Sequence, residues 1–244
     1  MTEELEEELR KEEASRFRGM VARANYLLQD RIDLQYAVKE ISRDMASPTK
    51  GSMLKLKRLG RYLVGKPRVV TEYQWQEPVE ALEVYTDSDW GGCKKTGKST
   101  SGSVILKGKH FLRSWSSTQK CVTLSSGEAE LIALVKASAE LIGMLQLSAD
   151  LGEDWRGEVL VDSAAALGTV RRKGCGKLRH VRVGDLWVQE KQESGEIKYK
   201  KVDGQENPAD LGTKYLNERK MEAHMTDIGQ RPLEGRAQGS LRIN

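Results

Sequence analysis

Residues 85–92, with the sequence Tyr-Thr-Asp-Ser-Asp-Trp-Gly-Gly, restrict the fold more than any other stretch of the chain. An apolar, β-prone run at 82–85 leads to Asp87, and a Trp-Gly-Gly turn then ends the strand. A carboxylate at the end of a buried strand is costly unless a cation holds it. A divalent metal is a suitable cation where several carboxylates converge, so Asp87 predicts a metal site at the end of a strand.

Three further acids lie at the edges of apolar segments. Glu130 falls near the start of a long predicted helix, beside its apolar stripe, whereas Glu128 points about 200° away and is assigned to the helix cap. Asp162 ends a strand-like run and, taken alone, is an N-cap. Asp210 follows Asn-Pro-Ala and, taken alone, is a helix-dipole partner. With Asp87, the set predicts a nuclease site in which two metal ions about 3.5–4 Å apart clamp a phosphodiester.

The order of predicted elements indicates a mixed α/β domain over residues 80–221. Strands are predicted at 80–87, 102–107, 110–116, 158–162 and 196–202. Helices are predicted at 126–150, 163–170, 181–193 and from Pro208. The order β-β-β-α-β-α-α-β-α suits a mixed sheet with helices packed on its faces.

The segments on either side of this domain have a different pattern. Residues 1–16 are rich in helix formers and predict a charged helix. The pattern of residues 17–67 predicts helices that are separated by a turn at Ser-Pro-Thr. Residues 68–79 are predicted to form a linker. The polar, glycine-containing residues 222–244 are expected to be disordered.

Composition limits the class of protein. The first fifteen residues hold seven glutamates against two basic residues, so we expect no secretory signal, and the remaining chain carries 38 basic against 29 acidic residues. No apolar run approaches the roughly 20 residues that span a bilayer. The three cysteines form no CxxC pair, which fits a reducing compartment. We therefore expect an intracellular protein that is not secreted and does not contact a membrane.

The densest basic segment follows the predicted Asp162 helix, at residues 171–182. It could hold substrate phosphates beside the site, and a solvated loop is an equally good interpretation. The candidate nucleic-acid-binding residues are Arg171, Arg172, Lys173, Lys177, Arg179 and His180. Trp90 and Trp115 are expected to pack in the core rather than to stack on bases.

A competing motif lies at residues 92–99, whose sequence fits the phosphate-loop pattern GxxxxGK[ST]. Such a loop needs a helix that starts at the Lys-Ser step, so that its amides face the phosphates. Residues 100–105 instead favour a strand. We therefore interpret 92–99 as a charged hairpin turn, and a nucleotide hydrolase remains the weaker alternative.

Several runs together resemble the ribonuclease H domain of the Pol polyproteins of copia-type LTR retrotransposons. They are YTDSDWGGC (85–93), KSTSG (98–102), SWSSTQK (114–120), LSSGEAELIAL (124–134), VDSAAAL (161–167), LRHV (178–181) and ENPADLGTK (206–214). The sequence FRGMVARANYLLQDRIDLQYAVKEISRDM and the LKRLGRYLVGK that follows also resemble the thumb or connection helices after the reverse transcriptase palm.

This resemblance implies a ribonuclease H-like, five-stranded mixed sheet flanked by helices and preceded by a small helical segment. The family's acids fall on the four residues chosen above. The implied activity is hydrolysis of the RNA strand of an RNA–DNA hybrid, with two Mg²⁺ ions for which Mn²⁺ can substitute. Other parts of a Pol polyprotein, the reverse transcriptase palm and the integrase, are the implied partners.

Departures from the family pattern restrict these expectations. The chain contains no adjacent aspartates, so it has no polymerase active site. Residues 203–205 hold no histidine where cellular ribonucleases H carry a mobile one, and Gly127 stands where threonine is more frequent. The main alternative is a hybrid-binding module that has lost turnover.

Overall fold

The structure is a computed structural model that describes residues 3–176, 183–235 and 237. The chain divides into two compact units. The first comprises residues 1–72 together with 230–244, and the second comprises residues 73–229.

The first unit is helical. Helices α1 (Lys11–Tyr26), α2 (Ile32–Ser42) and α3 (Lys50–Gly65) surround a core of buried apolar residues, and strand β1 (Arg68–Thr71) pairs antiparallel with β7 (Gln230–Leu233). The buried core residues are Phe17, Val21, Ala24, Leu34, Val38, Ile41, Leu56 and Leu59. This unit holds the residues that the sequence assigns to a reverse transcriptase remnant.

An internal ion pair joins two of these helices. The Arg31 guanidinium donates to Asp33 at 2.8 Å and to the Lys66 carbonyl at 3.1 Å, and the Tyr62 hydroxyl donates to Asp33 at 2.8 Å. The Asp33 carboxylate is fully buried. The Arg31–Lys66 and Tyr62–Asp33 hydrogen bonds tie the end of α3 to this ion pair at the start of α2.

The second unit is built on a five-stranded sheet. Its strands are β2 (Ala81–Asp89), β3 (Thr100–Lys107), β4 (His110–Thr118), β5 (Arg156–Val161) and β6 (Ile197–Lys201). Their order is β4-β3-β2-β5-β6, with β2–β3 and β3–β4 antiparallel and with β2–β5 and β5–β6 parallel. The expectation of a mixed α/β unit with a five-stranded mixed sheet is confirmed.

The helices of the second unit are α4 (Ser126–Asp150), α5 (Ala164–Val170), α6 (Trp187–Ser194) and α7 (Glu218–Asp227). Helices α4, α5 and α6 pack against the sheet, and α7 packs against the 3-10 turn at Pro208–Gly212. Among the described residues, α4 alone is long and apolar enough to span a membrane. A core helix has the same composition, and Leu131, Leu134 and Leu141 of α4 are fully buried with the sheet residues.

Some boundaries differ from the sequence predictions. The N-terminal helix begins at Lys11 rather than near residue 2, and a short 3-10 turn at Glu3–Leu5 precedes it. The helix predicted from Pro208 is a 3-10 turn, Pro208–Gly212, followed by α7. The prediction of disorder from residue 222 is wrong as far as Leu233, because α7 continues to Asp227 and β7 pairs with β1.

The 3-10 turn Pro208–Gly212 packs directly onto β2 and β3. A Cβ atom added at Gly102 would lie 2.7 Å from Thr213 Cγ2 and 2.8 Å from the Ala209 carbonyl oxygen. The Asn207 side chain donates to the Thr86 carbonyl at 3.0 Å and caps the turn by accepting from Ala209 N–H. Gly102 therefore permits the close approach that brings the turn to the end of β2.

We predict that Gly102→Ala destabilises the protein by about 1–3 kcal/mol, because the added methyl group overpacks the contact between β3 and the turn. The matched control is Gly143→Ala on α4, where a Cβ meets nothing within 4 Å. This control is expected to stabilise the protein by about 0.5–1 kcal/mol through helix propensity. Urea unfolding measures both changes, and equal effects of the two substitutions would contradict the packing role of Gly102.

Candidate metal centre

Asp87 lies near the C-terminal end of β2, under the Pro208–Gly212 turn, and is 3% exposed. Burial along β2 alternates from Ala81 as far as Thr86, but Asp87 is buried as well because the turn covers this end of the strand. The Thr213 hydroxyl donates to Asp87 Oδ2 at 2.5 Å. This bond fixes the carboxylate at the edge of the sheet.

Glu130 reaches the same edge from the first turns of α4. Its Oε1 accepts from the Ser88 N–H at 3.1 Å and from the Ser88 hydroxyl at 3.0 Å. Its Oε2 is buried without a hydrogen-bond partner among the described residues. Glu128 instead accepts from the Leu124 N–H at 2.7 Å, and Ser125 caps the helix by accepting from the Glu128 N–H. The two glutamates thus have the separate positions that helix geometry predicts.

Asp162 directly follows β5. The cap of α5 is Ser163, whose hydroxyl accepts from the Ala166 N–H, so Asp162 is not the N-cap. One carboxylate oxygen from each of Asp87, Glu130 and Asp162 lies within 4.8 Å of the other two. The structure therefore brings three of the four predicted acids into one group.

Asp210 lies beside this group but is held by lysines. Lys214 Nζ is 2.6 Å from Asp210 Oδ1, and Lys220 Nζ is 2.6 Å from Asp210 Oδ2. Lys214 Nζ also lies 3.5 Å from Asp87 Oδ2. The chain therefore supplies its own positive charge between Asp87 and Asp210.

The pKa values reflect this unequal distribution of cations. Burial raises the pKa of Asp87 to about 7, against the lowering effects of the Lys214 charge and the Thr213 hydrogen bond. Burial and the charges of Asp87 and Asp162 raise the pKa of Glu130 to about 8. Burial also raises the pKa of Asp162. The pKa of Asp210 is lowered, because Lys214 and Lys220 more than offset its burial.

The donor set fits a hard divalent cation. Its donors are carboxylate oxygens, which Mg²⁺ and Ca²⁺ prefer in proteins. The unpartnered Glu130 Oε2 belongs to a residue that is only 8% exposed, and its neighbours are two other carboxylates. A cation among Asp87, Glu130 and Asp162 would satisfy that oxygen and offset the repulsion.

The predicted nucleic-acid-binding residues are used within the chain where the structure describes them. Arg171 donates to the Tyr199 carbonyl at 3.2 Å, Arg172 donates to the Cys175 carbonyl at 2.7 Å, and Lys173 pairs with Glu193 at 2.6 Å. Lys177, Arg179 and His180 lie outside the described residues. A role of this segment in nucleic-acid binding stays a prediction.

The two tryptophans have different environments. Trp115 is partly buried against the core of the second unit, as expected. Trp90 is 53% exposed, so the expectation that it packs in the core is wrong. Its indole N–H donates to the Thr123 carbonyl at 3.2 Å, which holds the ring on the neighbouring loop.

The phosphate-loop pattern at 92–99 has no helix behind it. Strand β3 begins at Thr100, immediately after Ser99. A phosphate-binding loop needs the free backbone amides at the first turn of a helix. Here the residues that follow Ser99 form a strand, so no such group of free amides is present at this position. The interpretation of this segment as a turn between two strands agrees with the antiparallel pairing of β2 and β3.

Sequence reasoning missed the residues that hold the acids. Ser88 and Thr213 position Glu130 and Asp87 through their hydroxyl groups, and Lys214 and Lys220 neutralise Asp210. The spacing of Asp210 and Lys214 at i,i+4 was a signal for one of these pairs. The others depend on contacts between distant segments.

We predict that Glu130→Gln raises the melting temperature of the metal-free protein by at least about 2–4 °C at pH 8. The ordinary pKa values of 3.8 and 4.5 for Asp87 and Glu130 rise to about 7 and 8 on folding. Asp87 and Glu130 therefore contribute fully to the free energy of unfolding of the metal-free protein at a pH below their ordinary pKa values. This contribution is lost as the pH rises through 7 and 8, where the two buried carboxyl groups lose their protons. Glutamine keeps the oxygen that accepts the two hydrogen bonds from Ser88. It replaces Oε2 by an amide NH₂ group, which can donate to the neighbouring carboxylates.

Thermal unfolding in EDTA between pH 5.5 and 8.5 measures this effect. The advantage of Glu130→Gln over the unmodified chain is expected to grow with pH, and Mg²⁺ is expected to stabilise the unmodified chain more than the variant. The control is Glu128→Gln, which lies on the same helix turn outside the acidic group. An advantage of Glu130→Gln that is independent of pH would contradict the arrangement.

Comparison with known proteins gives matches to retrovirus-related Pol polyproteins from plant transposons. The chain is 29% identical over 217 residues to the retrovirus-related Pol polyprotein from transposon RE1 of Arabidopsis thaliana, which covers 87% of this chain and 15% of the polyprotein. It is 30% identical over 194 residues to that from transposon TNT 1-94 of Nicotiana tabacum, which covers 79% of this chain and 14% of the polyprotein. No protein-family model matches the chain.

Among solved structures, LC11-RNase H1, isolated from compost by a metagenomic approach, is similar with 18% identity and a TM-score of 0.40. The match covers 53% of this chain and 89% of that protein. The chain spans only about 15% of the length of these two polyproteins. Over most of its own length, the chain is homologous to a segment of the retrovirus-related Pol polyproteins of plant transposons.

Proposed function

We propose that the unit formed by residues 73–229 is a metal-dependent endoribonuclease that hydrolyses the RNA strand of RNA–DNA hybrids. Its context is the Pol polyprotein of a copia-type retroelement, an intracellular protein with reverse transcriptase and integrase parts. The observation that carries the proposal is the group of Asp87, Glu130 and Asp162, with the buried Glu130 Oε2 directed at no donor among the described residues.

The chemistry of the group supports a nuclease over other metal-dependent functions. Each acid comes from a different element, namely β2, α4 and the end of β5, so the site is fixed by the rigid part of the unit. Rigid placement of several carboxylates is what in-line phosphodiester hydrolysis requires. When bound, Mg²⁺ supplies charge neutralisation for the phosphodiester and lowers the pKa of water at the site.

The chain's own residues have distinct tasks in this proposal. Thr213 and Ser88 orient the carboxylates of Asp87 and Glu130. Lys214 is 44% exposed, so its ammonium group can pair with a substrate phosphate as well as with Asp87 and Asp210. Lys220 keeps Asp210 neutralised when Lys214 turns to the substrate. Selection for RNA would come from contacts with the 2′-hydroxyl groups across the minor groove.

We predict that the purified chain cleaves a labelled RNA–DNA hybrid in the presence of Mg²⁺ or Mn²⁺ and leaves 3′-hydroxyl and 5′-phosphate ends. Asp87→Asn is expected to lower the rate by more than about a hundredfold, because it removes charge from a metal ligand. Thr213→Val removes only the orienting hydroxyl, and a loss of about 10–100-fold is expected, as is typical of groups that orient metal ligands.

Gel analysis of the products under single-turnover conditions measures these rates. Glu128→Gln, which keeps the acceptor for the Leu124 N–H, is expected to retain full activity. If the chain binds the hybrid but does not cleave it at any metal concentration, the nuclease proposal is contradicted and the alternative of a hybrid-binding module is supported. Release of phosphate from ATP that depends on Lys98 would instead support the nucleotide hydrolase.

A further inference from the structure

An apolar groove with a volume of about 510 Å³ lies between α1 and α3 of the first unit. Tyr26 lines it and is 83% exposed, so the groove is open to solvent. Its floor continues the core of the unit and consists of Met20, Ala24, Leu27, Leu56, Leu59 and Leu63. An open groove with an apolar floor indicates a contact surface.

The length of the α1–α3 groove restricts the kind of occupant. The lining residues extend from Met20 to Leu27 on one side and from Leu56 to Leu63 on the other. At a rise of about 1.5 Å per residue, each side is about 10 Å long, which is two turns of a helix. Apolar side chains at positions i, i+3, i+4 and i+7 of a partner helix cover the same length.

Two glycines leave space at the margins of the groove. Gly60 lines it on α3, and Gly19 lies one turn before Arg23, which lines it on α1. A Cβ atom at either glycine would meet nothing within 4 Å, and neither glycine has a positive φ. Since glycine is less favourable than alanine inside a helix, packing within the chain does not explain these residues. They allow the backbone of another element to approach closely.

The margins of the groove are cationic. Helix α3 contains five lysines and arginines and no acid, and the chain between Glu13 and Asp30 contains three arginines and no acid. Arg23 and Lys57 are exposed, and neither forms an ion pair with a described residue. An apolar floor between cationic margins is complementary to a helix whose apolar stripe is flanked by acidic residues.

The apolar floor favours a protein helix over a nucleic acid. Nucleic acids contact cationic surfaces mainly through their phosphates and sugars. They do not present a row of apolar side chains that would fill a groove between two helices. The cations alone would suit either partner, but the floor suits the helix.

We propose that the α1–α3 groove binds an acidic amphipathic helix of a protein partner. The apolar side chains of this helix pack on the floor, its backbone approaches Gly60, and its carboxylates pair with Arg23 and Lys57. The groove uses no residue of the second unit, so the proposal does not depend on the nuclease activity.

The probe for the test is a fluorescent synthetic peptide of about 18 residues, a length at which an isolated helix can form. It carries leucine at the i, i+3, i+4 and i+7 spacing and glutamate at the flanking positions. Fluorescence anisotropy with the full chain in EDTA measures its affinity. Replacement of each glutamate by lysine, or loss of the leucine periodicity at the same composition, is expected to weaken binding at least about tenfold.

The variant that blocks the groove is Gly60→Leu. It is expected to weaken binding of the glutamate peptide at least about tenfold, because the new side chain occupies the groove. The melting temperature is expected not to fall, since the Cβ atom has free space and leucine is the better helix former. The matched control is Gly143→Leu on α4, another helical glycine with nothing within 4 Å, which is expected to retain full affinity.

A charge exchange tests the margins separately. The double variant Arg23→Glu, Lys57→Glu is expected to bind the glutamate peptide about tenfold more weakly and the lysine peptide about tenfold more tightly. An unchanged preference between the two peptides would contradict the pairing of the partner's carboxylates with these residues.

Other results would overturn the proposal as a whole. They are equal affinity for the periodic and the non-periodic glutamate peptide, and full affinity of Gly60→Leu for the periodic one. Displacement of the peptide by an RNA–DNA hybrid, together with equally weakened hybrid binding by Gly60→Leu, would assign the groove to nucleic acid instead.

Discussion

Mutual repulsion among buried carboxylates is the constraint on which the second unit depends. Asp87, Glu130 and Asp162 lie within one small group at the end of a sheet, where burial alone disfavours their charged forms. A fold that holds such a group must either protonate it or bring cations to it. The positions of β2, α4 and β5, and of the turn that covers Asp87, all serve to keep these acids together.

The chain's own cations are distributed unequally among the four acids. Asp210 has two lysines of its own, and Lys214 extends toward Asp87. Glu130 has only the two Ser88 donors on one oxygen, and its second oxygen has no partner among the described residues. The unmet negative charge is therefore concentrated on the side of Glu130 and Asp162. A divalent cation on that side would complete the site, and Lys214 would remain available for an anionic substrate.

Local sequence patterns predicted much of this arrangement. The strand that ends at Asp87, the helical spacing that separates Glu130 from Glu128, and the run before Asp162 are all readable because each depends on neighbouring residues. The pairing of β1 with β7, the exposure of Trp90 and the contact of Lys220 with Asp210 are not readable in this way. They arise from contacts between segments that are distant in sequence, or from side-chain reach that periodicity does not encode. The expectation of disorder over residues 222–244 is wrong as far as Leu233 for a related reason, since the polar composition concealed the end of α7 and a strand that forms only with a distant partner.

The position of a bound divalent ion tests whether Asp87, Glu130 and Asp162 form a metal site. Crystals of the full chain soaked in Mn²⁺ and measured at a wavelength where manganese scatters anomalously would show its position without reference to activity. We predict an anomalous peak among the carboxylates of Asp87, Glu130 and Asp162, within bonding distance of their oxygens. A fully occupied crystal with peaks only at surface acids, and none in this group, would contradict it.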